Sequence, residues 1–158
     1  MMKKIILFVA LSVTLSACKS NSATNTSVDN KTERGIKGNW EITSVTYPGS
    51  NVIKVTSFDL ADSNCFVGSK WNFISNNNKG NMSLTNAKCT SYSTPISWFI
   101  NKEGQFVMKI LDDSKAKTVK TGYVLNVANQ SENSFQLTEK INVAGKSVDV
   151  VYQFEKLN

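Results

Sequence analysis

From Gly38 to Phe154 the chain repeats one design: a short run in which apolar and polar residues alternate, then a turn, then another such run. Alternation at period two places every second side chain on one face of an extended strand. Eight runs read this way, and the first, Lys37 to Tyr47, sets Trp40 and Ile42 on one face and Glu41 and Thr43 on the other. Ser69 to Ser75 carries Trp71 and Phe73; Asn81 to Thr85 carries Met82 and Leu84 across the turn Asn76-Asn77-Asn78-Lys79-Gly80. After a loop that carries Cys89 and Tyr92 and is ended by Pro95, Ile96, Trp98 and Ile100 face Phe106, Met108 and Ile110 across Asn101-Lys102-Glu103-Gly104. Val119 to Val127, with Tyr123, Leu125 and Val127, then Phe135 to Val143, then Ser147 to Phe154, with Tyr152, complete the series. The turns are rich in Asn and Gly, which tolerate the positive φ that tight hairpins require. No segment of helical period interrupts them.

Strands joined in sequence leave an open edge at each end of a sheet unless the sheet closes on itself. The expected fold is therefore all-β: an eight-stranded antiparallel up-and-down barrel, wide enough inside for side chains or one small ligand. A two-sheet sandwich is the alternative, although its crossovers normally run longer than these turns. One connection is long. After the turn Pro48-Gly49-Ser50-Asn51, residues Val52 to Ser69 offer a short strand at Val52, Ile53 and Val55 and a helical turn over Phe58 to Asp62. Connections of this length are usually functional, and this one reads as a lid.

The barrel, residues 36–158, follows two segments of other character. Residues 1–17 have a positive start at Lys3 and Lys4, a short apolar run and small residues before Cys18, the pattern of a cleaved export signal. Leu15-Ser16-Ala17-Cys18 matches the lipobox of bacterial lipoproteins, which implies that Cys18 is acylated and anchors the protein to a membrane. Residues 18–35 are polar and read as the lipidated Cys and a flexible tether. No acidic pair follows the anchor, which favours the periplasm-facing side of the outer membrane. A soluble secreted protein with an unmodified Cys18 is the alternative.

The chain contains no His, which removes the usual hydrolytic triads and His-containing zinc sites. Asp59, Asp62, Asp112, Asp113, Glu139 and Asp149 form no spaced carboxylate pair of the glycosidase kind. The expectation is a non-enzyme without metal or cofactor. The basic excess, 18 Lys and Arg against 12 Asp and Glu, is scattered apart from Lys115, Lys117 and Lys120, so no nucleic-acid stripe is present. With Cys18 assigned to lipid, Cys65 and Cys89 form an even pair, expected to be a disulfide outside the cytoplasm. Two free thiols holding a metal is the rival reading.

Gly38-Asn39-Trp40 at the start of the first strand, the segment Asn64 to Phe73 with its Cys-to-Trp spacing, and the Asn-rich turn ending in Gly80 together resemble the lipocalin-like domain lipoproteins of Bacteroidetes. The resemblance runs from about Ile36 to the C-terminus and implies a barrel with an interior pocket. A Thr-Asp-Tyr element and a long C-terminal helix are missing. Trp40, Ile42, Trp71, Phe73, Met82, Leu84, Trp98, Phe106, Met108, Tyr123, Leu125, Phe135 and Tyr152 are the expected lining for a small apolar or amphipathic ligand, under a mouth covered by Phe58 to Leu60. The same side chains are large enough to fill the barrel. In that case the disulfide-held loops, with Phe66 and Tyr92 as exposed anchors, would bind an envelope protein as inhibitor or assembly partner.

Overall fold

A computed structural model of the chain describes residues 26–51, 54–112 and 114–158. The signal segment, Cys18 and the first part of the tether lie outside the described residues, as do Val52, Ile53 and Asp113. The elements are a helix α1 (Thr26–Ile36) and strands β1 (Gly38–Thr46), β2 (Thr56–Ser57), β3 (Ala61–Asp62), β4 (Lys70–Ile74) and β5 (Lys79–Leu84), then β6 (Tyr92–Ile100), β7 (Phe106–Ile110), β8 (Tyr123–Ala128), β9 (Ser134–Val143) and β10 (Lys146–Lys156). All strands except β2 and β3 close into one barrel in the order β1-β10-β9-β8-β7-β6-β5-β4. Every neighbour pair is antiparallel, and β1 closes the ring by pairing with both β10 and β4.

The register follows from the alternation. Trp40 lies opposite Trp71, Trp71 opposite Met82, Trp98 opposite Met108, Phe106 opposite Leu125, and Phe154 opposite Phe135. A slip of one residue in any strand would turn its apolar set outward, so burial of the inner face pins the whole ring. The inward aromatics then fill the space: Phe135 stacks on Phe154 at 4.5 Å, Trp40 meets Phe135 edge-on at 4.7 Å, and Phe73 lies 5.2 Å from Trp98. Each indole N–H is satisfied, by the carbonyls of Ile36 and Lys79 for Trp40 and Trp98 and by Ser69 Oγ for Trp71. Unpaired, each would carry a desolvation penalty of about 1–3 kcal/mol.

Three local expectations are corrected. Thr26 to Gly35, read as the end of a flexible tether, is helical, and the helix delivers Ile36 fully buried against one end of the barrel. Its sequence has no apolar stripe, so a helical period was not visible. A helix this short gains most of its stability from tertiary contacts. Here those are Ile36, whose carbonyl accepts from Trp40 Nε1 at 2.7 Å, and Gln130, whose Nε2 donates to the Thr32 carbonyl at 2.9 Å. Gly80 belongs to β5 and not to the turn, where Asn78 takes the positive φ of 56°. A glycine is required there for space, because a Cβ would lie 2.4 Å from the Asn72 carbonyl oxygen. Finally, β6 runs through Pro95, which is exposed and lies opposite Asn81; on its other side it faces Leu111, just past the end of β7, so its missing N–H falls outside the paired part of that strand.

Candidate functional site

The connection from Tyr47 to Ser69 crosses the end of the barrel opposite α1. Ribbon β2–β3 pairs Thr56 with Asp62 and Ser57 with Ala61, so Phe58 and Asp59 sit in its turn. Their φ values of 55° and 50° place both in the left-handed region, not in the helical turn expected over Phe58 to Asp62. That geometry aims the Phe58 ring down into the barrel mouth. It packs 5.2 Å from Phe66, 5.2 Å from Tyr123 and 5.3 Å from Tyr152. Val55, Phe58 and Phe66 are all buried.

Polar contacts fix the lid at its far side. Asp62 accepts from the Asn64 amide at 2.9 Å and caps the 3₁₀ turn Ser63–Phe66. Thr85 Oγ1 donates to the Gly68 carbonyl at 2.7 Å, and Cys65 is joined to Cys89 with 5.8 Å between the Cα atoms. The disulfide expected from the cysteine count is present, and it staples the lid to the β5–β6 loop. Phe66, expected as an exposed anchor, is instead fully buried beneath that staple, and Tyr92 is half-buried with its hydroxyl donating to Asp112 Oδ1 at 3.3 Å. The aromatic was drawn inward because a lid residue beside the mouth has more apolar surface to cover inside than outside.

Beneath the ribbon lies a polar cluster in the otherwise apolar interior. Glu139 is 9% exposed on the inward face of β9, and Tyr152 donates to its Oε2 at 2.8 Å. The same phenol bonds Ser57 of the lid, and the Phe58 amide also bonds the carboxyl. A phenol has one proton; with it on the carboxylate side, the serine hydroxyl supplies the proton to the phenol oxygen. Burial raises the Glu139 pKa above its ordinary value, the Tyr152 bond opposes that, and the negative charge of Asp59 adds to the rise. Burial also raises Tyr152, and Glu139 nearby reinforces it. Tyr123 donates to the Phe58 carbonyl at 2.6 Å, and burial with the Asp59 charge pushes its phenol up to about 12. The cluster ties β2, β8, β9 and β10 together across the mouth.

Of the residues expected to line a ligand pocket, all are buried except Tyr123, which is half-buried. They surround one another. The enclosed void between Ile42, Phe58, Trp71, Met108, Leu125 and Tyr152 has a volume of about 10 Å³. A cavity needs roughly 10–15 Å³ to hold a single water. Glu139 is not among the residues lining this void, and its hydrogen bonds, to the Tyr152 phenol and the Phe58 amide, hold the lid. The sequence reading counted Glu139 only among scattered carboxylates. Its signal was position: two residues after Leu137, it continues the inward face of an apolar strand.

On the outside, the disulfide-held end presents a recess of about 390 Å³, bounded by Leu60, Ala61, Leu84, Tyr92 and the Cys65–Cys89 bridge, with Lys88 at its rim. Leu60 and Ala61 are half-buried, so their surfaces remain partly open to a partner. In comparisons with protein-family models and with curated proteins, nothing matches this chain.

Proposed function

We propose that the protein is an envelope lipoprotein, anchored through Cys18, whose barrel is a solid, non-enzymatic scaffold that binds another envelope protein through its disulfide-held end. One observation carries this reading: the void beneath Phe58 holds only about 10 Å³ while the inward side chains pack on one another, which favours the outer surfaces for recognition. The recess beside Cys65–Cys89 suits such a role, because a fixed backbone loses little entropy on binding. The partly open apolar flanks of Leu60 and Ala61 supply the dry centre that protein contacts use, and Lys88 supplies a polar rim.

The test is capture of envelope proteins by the full chain, with site-directed photocrosslinkers placed at Leu60 and Thr90 and, as a control, at Lys140 on the far wall. A partner crosslinked from the first two positions and not from the third supports the reading. Equal crosslinking from all three, or none, refutes it. A second reading, a small apolar ligand inside the barrel, requires Phe58 to withdraw, and the left-handed backbone at Phe58 and Asp59 is the observation in its favour. Native mass spectrometry separates the two. A retained small-molecule adduct that changes with Phe58→Ala supports the ligand, and a clean mass after incubation with envelope lipid supports the solid scaffold.

A further inference from the structure

A second outer surface lies away from the lid, on the wall formed by β5 and β6. A groove of about 520 Å³ runs along it, within the roughly 300–1,000 Å³ typical of small-molecule sites. Its floor is the paired backbone around Gly80 and Ile96, and its apolar sides are Ile74, Pro95, Leu111 and Ala116. Ile74 is 37% exposed, one of the few large apolar side chains left open on the described surface.

Both banks are held in place. On one side Asn78 Nδ2 donates to the Trp98 carbonyl at 3.0 Å. On the other, the chain after β7 folds back: the Leu111 amide donates to the Pro95 carbonyl at 3.1 Å and the Asp112 amide to Thr94 Oγ1 at 3.0 Å. Lys109 then clamps this segment, its Nζ donating to the carbonyls of Ala116 and Val119 at 3.1 and 2.9 Å. A lysine committed to two backbone carbonyls stabilises a loop that has no strand partner of its own. The groove is therefore preformed.

Among the described residues that line the groove the charge has one sign; Asp112, in the same bank, accepts from the Tyr92 hydroxyl, and Asp113 lies outside the described residues. Lys79 and Lys115 line it, neither ammonium has a hydrogen-bond or ion-pair partner among the described residues, and no carboxylate among those residues lines it. Asn77, Asn81, Ser97 and Ser114 add neutral donors. We propose that this groove binds a free single-chain carboxylate amphiphile of the fatty-acid type. The chain lies against Ile74, Pro95 and Leu111, and the carboxylate is held at the rim by the lysine ammonium groups. An inorganic anion would leave the apolar sides unused, and a neutral chain would leave the lysines unused. This site is separate from the disulfide-held end, so either proposal can fail without the other.

The experiment uses the full chain in phosphatidylcholine vesicles and a dodecanoic acid carrying a diazirine on its chain. After photolysis, peptides are mapped by mass spectrometry. Adducts concentrated on the segments containing Ile74 and Leu111 are expected. Labelling should fall at least about fivefold in Lys79→Gln/Lys115→Gln and again when the probe is the methyl ester. Ile74→Asp, an exposed position that leaves the core untouched, should abolish it. Labelling spread over the barrel, equal labelling by acid and ester, or no change in the lysine double variant would overturn the proposal. So would equal labelling by a photoreactive phosphatidylcholine, which would make the groove a bilayer contact.

Discussion

Truncating Phe58 to Ala tests whether the lid is a structural part of the barrel or a covering resting on it. The ring is 5% exposed and packs against three aromatic neighbours, one of them stacked at 5.3 Å. Deleting a buried Phe side chain costs about 3–5 kcal/mol when the site cannot collapse. Phe66 and Tyr152 are held by the disulfide-stapled turn and by the Glu139 bond, so collapse is restricted. A loss near 3 kcal/mol lowers the folded-to-unfolded ratio by about two decades. Phe58→Gly supplies an internal control. At φ 55° an L-residue carries a left-handed penalty of about 1–2 kcal/mol, which exceeds the roughly 0.5–1 kcal/mol of extra chain entropy that Gly loses on folding. The glycine variant should therefore be as stable as the alanine variant or more so, by up to about 1.5 kcal/mol. Urea unfolding followed by tryptophan fluorescence measures all three. An alanine cost below about 1 kcal/mol with unchanged slope, or a glycine variant clearly less stable than alanine, would refute the docked left-handed lid.

Three further perturbations probe the same frame. Replacing both Cys65 and Cys89 by Ser removes a bridge across a sequence separation of 24, worth about 3.5 kcal/mol by chain entropy, and should lower the thermal midpoint to that of the reduced wild type; equal midpoints with and without the bridge would contradict it. For Glu139, whose folded pKa is raised above 4.5, the folded state holds the proton more tightly. Its contribution to stability is thus fully present below about pH 4.5 and is lost as pH rises through the folded value. Glu139→Gln, which keeps an acceptor for Tyr152, should flatten that part of the stability profile, and a profile parallel to wild type would show that the carboxyl is not buried as described. Gly80→Ala places a Cβ 2.4 Å from a backbone carbonyl oxygen that cannot rotate away, an overpacking cost of about 1–3 kcal/mol in equilibrium unfolding, and a neutral result would mean that β4 and β5 are spaced more widely.

The wall of the barrel was open to reading because its determinants are local. Trp71, Phe73, Met82, Leu84, Trp98 and Phe106 announce their strands by alternation, and short Asn- and Gly-rich turns leave each strand only its neighbour to pair with. Where the signal was weaker, boundaries moved: β8 begins at Tyr123, not Val119, and β6 begins at Tyr92, upstream of a proline that had suggested a loop. Helix α1 was missed for a different reason. Its support comes from the burial of Ile36 against the barrel and from Gln130, which bonds the Thr32 carbonyl 98 positions away, and no helical period in the segment encodes either.

Sequence by itself pointed to the all-β architecture and the sequential order of the strands, because period and turn chemistry leave few alternatives, and to the pairing of Cys65 with Cys89 on the reading that Cys18 carries lipid. Only the tertiary structure decided what the inward residues do. The alternation that makes a calyx also makes a solid core, and the difference lies in whether side chains from opposite walls and from the lid meet. Here they do: Phe58 and Phe66 enter from the long connection, Ile36 is buried at the opposite end, and the void beneath Phe58 holds about 10 Å³. The placement of Glu139 under the lid and of two unpaired lysines beside an outer groove likewise arises from segments brought together by barrel closure, across distances that no run of adjacent residues records.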